Sequence, residues 1–296
     1  MRPLHLLLAL LVAAIWGFNF VVIRWGLDEL PPILFTALRF AVAALPLPLL
    51  GLKPPVAWRY LLGIGMFLGA LQFGCLFVGM EMGMPAGLAS IVVQSQALFT
   101  VALSALLLGE RPAARQYLGM ALAAAGVLSI AATLPGGGTV LGMAIVLTGS
   151  FCWAVANLIM KKAQAPDMLR LMVWTSLVPP LPLLALSLAM EGPGEIASSL
   201  AGLSGRGVLV ILYNAAGATI VGYGLWAWLL RHYSASLVAP FSLLVPVFGM
   251  SSAALFLGET FTPVKLAACG LILAGLALTV LPARRRPAPL EVPAGE

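Results

Sequence analysis

The sequence predicts an all-α integral membrane protein with ten transmembrane helices arranged as two inverted five-helix repeats. Three observations carry that prediction. Charged residues make up only 9% of the 296 positions and hydrophobic residues 61%, with a mean hydropathy of +1.06. Soluble domains carry roughly 25% charged residues, so a water-soluble domain is excluded. Apolar runs of about 20 residues, the length that crosses the hydrocarbon core of a bilayer, follow one another almost to the end of the chain. Finally, residues 79–112 have a copy within 225–261, displaced by 149 positions with no gap. Pro85-Ala86-Gly87-Leu88 lies on Ser234-Ala235-Ser236-Leu237, and Gly109-Glu110 lies on Gly258-Glu259.

Ten runs read as spans: 4–23, 32–51, 59–80, 86–108, 115–134, 139–160, 168–190, 207–230, 235–257 and 264–282. The first follows Arg2 and ends near small residues, the outline of a cleaved signal peptide. It is kept as a span because Trp16-Gly17-Phe18-Asn19, running to Arg24, matches Trp153-Ala154-Val155-Ala156, running to Lys161, 137 positions later. The third span holds Gly65 and Gly69, and the fifth holds Gly119, Ala123 and Gly126, spacings that let helices pack closely. The fourth opens on Pro85, a favoured first helical residue, carries Gln94, Ser95 and Gln96 near its middle, and stops at Gly109-Glu110-Arg111-Pro112. Pro240 and Pro246 bend the ninth. The connection 191–206 has room for a short surface helix and absorbs the change of offset from 137 to 149. Beyond residue 282 the chain reads as a basic stop and a disordered tail.

Twelve Lys and Arg residues fall on the side of the N-terminus and three on the other, Arg24, Arg206 and Lys265; Arg39, within a span, completes the sixteen. The positive-inside rule then places both termini in the cytoplasm. The net charge of +6 belongs to these loops and does not call for nucleic acid as a partner. Five spans per unit is an odd number, so the second unit, 137–296, enters the membrane upside down relative to the first, 1–136. Inverted repeats of this kind recur in secondary transporters, where two halves open a central site to alternate sides.

Arg39 is the only charge well inside a span, and a charge there costs roughly 2.5–3.5 kcal/mol or more unless it meets a partner or water. It is either a counter-ion for a substrate carboxylate, or a structural group that pairs with carbonyls or an acid such as Glu81, or snorkels outward. Gln94 and Gln96 stand about 200° apart around an ideal helix, so one cavity is expected to receive Gln94 rather than both. Asn19, Gln72, Asn157, Asn214 and Ser242 are further uncharged candidates, with interhelical hydrogen bonding as the plain alternative. Trp16, Trp153, Tyr223, Trp226 and Trp228 line a pocket or sit at the membrane interface, the pocket or helix packing being expected for Trp16 and Trp153. The resulting candidate substrate-binding set is Trp16, Asn19, Arg39, Gln72, Gln94, Gln96, Trp153, Asn157, Tyr223 and Ser242. No catalytic residue, metal or cofactor is assigned. Cys75, Cys152 and Cys269 lie in apolar runs, His5 and His232 lie beside segment ends, and no nucleotide-binding motif is present. No Asp or Glu lies clearly inside a span, which leaves proton antiport without its usual carrier.

The segments WGFNFVVIRWG (16–26), PPILFTALRF (31–40), GMPAGLASIVVQSQALFT (83–100), LGERP (108–112), WAVANLIMKK (153–162), ATIVGYGLWAWLL (218–230) and VAPFSLLVPVFGMSSAALFLGE (238–259) resemble the EamA family of the drug/metabolite transporter superfamily, as two units covering nearly all of the chain. Within it, GMPAGLAS, ATIVGYG and SLLVPV look most like exporters of O-acetylserine and cysteine. The resemblance implies a non-enzymatic efflux transporter of the bacterial inner membrane for small amino acids or their derivatives. Other amino acids (aromatic, threonine, methionine) or small metabolites remain the alternative, and a membrane enzyme would need a convergent nucleophile, base or metal set. The superfamily's small four-helix pumps use a first-helix Glu. Trp16 and Asn19 occupy the corresponding region here, so that proton chemistry does not carry over.

Overall fold

The computed structural model describes residues 1–51, 53–135 and 138–280. The basic tail expected after residue 282 lies outside the described residues. Helices make up all the regular structure among the described residues: α1 (Pro3–Leu27), α2 (Pro32–Ala44), α3 (Trp58–Glu81), α4 (Ala86–Leu108), α5 (Ala114–Thr133), α6 (Thr139–Ala163), α7 (Met168–Met190), α8 (Gly205–His232), α9 (235–257) and α10 (Pro263–Val280). Eight are long and apolar enough to cross a membrane, and α2 and α10 are shorter apolar helices. The connection between α7 and α8 carries the short helix Pro193–Ala201.

One expected span is shortened. The run 32–51 breaks after Ala44, and only the turn Leu47–Leu50 follows. Pro46 and Pro48 are the cause, since each removes a backbone donor and its ring clashes with the preceding turn. Similarly α7 is interrupted between Thr175 and Pro180, where Pro179 and Pro180 stand in sequence.

Three local irregularities recur 149 residues apart. A π-helical stretch lies at Gly65–Gln72 in α3 and at Tyr213–Val221 in α8. A 3₁₀ stretch lies at Val93–Ser95 in α4 and at Ala239–Leu244 in α9, where Pro240 removes a donor. Left-handed glycines cap both of those helices, Gly109 at φ 68° and Gly258 at φ 67°, a conformation open to glycine without steric cost.

Small residues set the closest helix contacts. α5 lies along α10, the most extensive pairing in the molecule. A Cβ on Gly126 would come within 2.6 Å of Ile272 Cγ1, and one on Gly119 within 2.6 Å of the Gly275 carbonyl. Gly17 of α1 presses on Phe248 and Val245 of α9, and Gly249 of α9 on Ser90 of α4. Gly65 and Gly69 of α3 admit Val178 and Pro179 of α7. These contacts leave a space between α1, α2, α3, α4, α6, α7, α8 and α9 near mid-helix.

Candidate substrate cavity

That space is a cavity of ≈ 270 Å³. All ten candidate residues line it: Trp16 and Asn19 from α1, Arg39 from α2, Gln72 from α3, Gln94 and Gln96 from α4, Trp153 and Asn157 from α6, Tyr223 from α8 and Ser242 from α9. It runs from mid-helix to Met160 and Met168, at the adjoining ends of α6 and α7. That is the side of the chain's N-terminus, where Arg2 and His5 bond the Tyr233 hydroxyl just beyond α8.

Arg39 is 2% exposed and, among the described residues, has no acid partner. Its Nη2 donates to Thr219 Oγ1 at 3.0 Å. Its Nε and Nη1 are buried with no hydrogen-bond partner. The guanidinium carbon stands 4.0 Å from the Phe73 ring centroid, 5.0 Å from that of Phe40 and 5.9 Å from that of Phe77, so aromatic faces supply part of the stabilisation that water gave up. Glu81, the acid the sequence offered as a partner, pairs instead with Arg24 at 3.5 Å near a helix end. Thr219 is held from below: its hydroxyl donates to the Asn214 carbonyl at 3.0 Å. Five residues separate the two, the spacing a π turn brings together.

The same π stretch exposes a second carbonyl. Trp16 Nε1 donates to Ala218 O at 2.9 Å, and the Trp16 ring lies 5.2 Å from Tyr223 and 5.3 Å from Trp226. Gly222 is required there, since a Cβ would reach within 2.5 Å of Trp16 Nε1. Opposite this aromatic wall, Asn157 Nδ2 donates to Gln96 Oε1 at 2.7 Å and to Thr100 Oγ1 at 3.0 Å. Gln94 Nε2 reaches Ser242 O at 3.4 Å. Both Gln94 and Gln96 therefore face the cavity, against the ideal-helix expectation. The 3₁₀ turn at Val93–Ser95 explains it, because 3.0 residues per turn brings positions two apart about 40° closer around the axis than 3.6 does. Asn19 Oδ1 and Gln72 Oε1 are buried without a partner.

Some expectations land elsewhere. Asn214 is buried, bonded to Val210 O, and away from the cavity. Trp228 stacks on His232 and meets His5 edge-on at a helix end. Trp226 and Met172 also line the cavity and Thr219 adjoins it through its bond from Arg39, none of them in the candidate set. Trp226 was visible as one of several aromatic candidates. Thr219 has no sequence signal of its own, because its partner is 180 positions away. The three cysteines are free, and among the described residues no group of three His, Cys, Asp or Glu is placed to hold a metal ion. The cavity thus offers hydrogen-bond donors and acceptors, one cation and aromatic faces, a set suited to holding a small polar molecule.

The EamA-like transporter family matches twice, at residues 3–132 and 140–281. The chain is 45% identical over 285 residues to a probable amino-acid metabolite efflux pump of Salmonella typhimurium, covering 94% of this chain and 95% of the relative. It is 42% identical over 287 residues to a protein of the same description from Escherichia coli, covering 95% and 96%. A solved crystal structure superimposes with a TM-score of 0.65 at 20% identity, covering 97% of this chain and 100% of the other, a likeness of fold. The chain belongs to the EamA-like transporter family.

Proposed function

We propose that the protein is a secondary transporter that exports small amino acids or their derivatives, of the O-acetylserine and cysteine type, by alternating access across the bacterial inner membrane. The observation that carries this reading is Arg39: a buried guanidinium at the wall of a central cavity, with no acid partner among the described residues and two nitrogens unbonded. A substrate carboxylate meets that need with charge-assisted bonds, and a charge that would otherwise be costly at this depth becomes the anchor of binding. The two relatives, each described as a probable amino-acid metabolite efflux pump, support the same class of substrate. The aromatic wall of Trp16, Tyr223 and Trp226 favours a second reading, in which the cargo is another amino acid (aromatic, threonine or methionine) or a small metabolite.

The proposed architecture is ten spans in two inverted units, 1–136 and 137–296, with both termini in the cytoplasm. Its support is the set of irregularities repeated 149 positions apart, the double family match and the Lys and Arg bias. Alkaline phosphatase fused to the C-terminus should stay inactive; high activity would remove the ten-span arrangement and the inversion. The transport reading is tested by flux from proteoliposomes over a substrate panel. Saturable movement of O-acetylserine or cysteine is expected. Movement of other amino acids alone would keep the transporter and discard that cargo, and movement of none would discard both.

A further inference from the structure

One end of the bundle is tied by carboxylates. Glu259, just past α9, receives the first two backbone N–H groups of α4: Ala86 N at 2.6 Å and Gly87 N at 3.0 Å. Those groups have no partner within their own helix, and their partial positive charge favours an anion. The fit is close, since a Cβ on Gly87 would come within 2.6 Å of Phe261 and 2.9 Å of Glu259 Oε2. Along the same seam, the first turns of α4 pack on the second half of α9, and Ala253 is fully buried. This seam closes the end away from Met160 and Met168.

The repeat supplies a mirror of every part. Glu110 is the counterpart of Glu259, follows an equivalent left-handed glycine, and leaves the end of α4 as Glu259 leaves the end of α9. The counterpart of Ala86 and Gly87 is the start of α9 at Ala235 and Ser236, which runs on through the 3₁₀ stretch to Leu257. Yet Glu110 is used differently. Its side chain is 48% exposed and paired with Lys161. The packing of the second half of α4 on the first turns of α9 is not made to a comparable extent among the described residues. One glutamate caps its helix where the cavity is shut, and its mate is turned aside where the cavity reaches the surface.

We propose that Glu259 and Glu110 are alternating caps that set which end of the cavity is open. In the state described here Glu259 holds α4 against α9. In the opposite state Glu259 lets go, Glu110 leaves Lys161 and receives the first N–H groups of α9, and the other end closes. This rests on the alternating-access reading, but on no particular cargo. Both glutamates are positioning residues; neither lines the cavity.

The test measures accessibility rather than flux alone. In full-length protein in proteoliposomes, with Cys75, Cys152 and Cys269 replaced, single cysteines are placed at Ala253, inside the closed seam, and at Met160, at the open mouth, and labelled with a hydrophilic maleimide. Glu259→Gln should raise labelling at 253 at least fivefold and lower it at 160. Glu110→Gln should do the reverse. Lys161→Gln breaks the ion pair that holds Glu110 aside in this state, so any shift it causes should run in the direction of Glu259→Gln. Glu110→Gln is the safer variant for folding because the group is exposed. If Glu110→Gln behaves like Lys161→Gln, or if Glu259→Gln raises labelling at 253 without lowering it at 160, the caps do not alternate and the proposal falls. Opposite shifts in a protein that moves no amino acid would keep the caps and overturn the cargo. Unmoved labelling with intact amino-acid flux would do the opposite.

Discussion

The pairing of α5 with α10 and the cavity wall around Arg39 are both shielded by helices, and they use that shielding in opposite ways. At the first, Gly119, Ala123 and Gly126 meet Ala268, Ile272 and Gly275. Backbones approach closely, and Thr279 Oγ1 bonds the Gly275 carbonyl in its own helix at 2.8 Å. In lipid, where no hydrophobic force drives helices together, such small-residue contact is what holds them. At the second, Arg39 Nε and Nη1, Asn19 Oδ1 and Gln72 Oε1 are buried and unbonded. Unmet polar groups of this kind cost roughly 1–3 kcal/mol each, more when charged. The difference separates a surface built for stability from one whose unmet polar groups a bound ligand would satisfy.

Substitutions at the two places should therefore fail differently. The largest effect is expected for Gly275→Leu. A Cβ there would already lie 2.7 Å from Ala123 N and 2.8 Å from Ala123 Cβ, and overpacking of this kind costs about 3 kcal/mol. Folded protein in detergent should fall sharply by thermal melting, with flux per folded molecule unchanged; a specific loss of flux would blur the contrast. Arg39→Gln should show the converse. Its flux should drop at least tenfold, equivalent to about 1.4 kcal/mol or more, with melting as in the parent. Proportional loss of both would return Arg39 to a structural role.

Smaller effects sharpen the picture inside the cavity. Asn157→Leu removes the donor to Gln96 and Thr100. At about 1 kcal/mol for such bonds, a threefold to tenfold rise in the substrate KM is expected in uptake or efflux assays. Trp16→Phe keeps the ring contact with Tyr223 and Trp226 and loses the bond to Ala218 O. A two- to threefold change in flux should result, and a complete loss would give that bond a larger part than its geometry supports.

Much of this contrast was legible in the chain. Apolar runs of bilayer length fix the helices, and a lone charge among them marks Arg39. The 149-residue copy anticipates the paired irregularities, because identical local sequence problems, Gly-rich in α3 and α8 and glycine-capped in α4 and α9, receive the same backbone solutions. Polar residues within apolar spans are few, and most of them line one space. What could not be read is whatever depends on rotation about a helix axis. The 3₁₀ turn that brings Gln94 and Gln96 to one space, the π turn that lifts Thr219 and Ala218, and the pairing of Arg39 with Thr219 rather than an acid are settled by neighbours far away in sequence. The shortening of α2 lay in plain view at Pro46 and Pro48, but hydropathy outweighs backbone chemistry when runs are counted by length.

The central claim is that the unbonded face of Arg39 receives a carboxylate. It is tested most directly by comparing two competitors that differ only there, O-acetylserine and its carboxamide, against labelled substrate in proteoliposomes carrying the parent protein or Arg39→Lys. The parent should prefer the carboxylate at least tenfold. Lysine, a point charge without the planar fork, should keep part of that preference, a few-fold at most. Equal inhibition by acid and amide in the parent protein would contradict the account and leave Arg39 as a buried tie between α2 and α8.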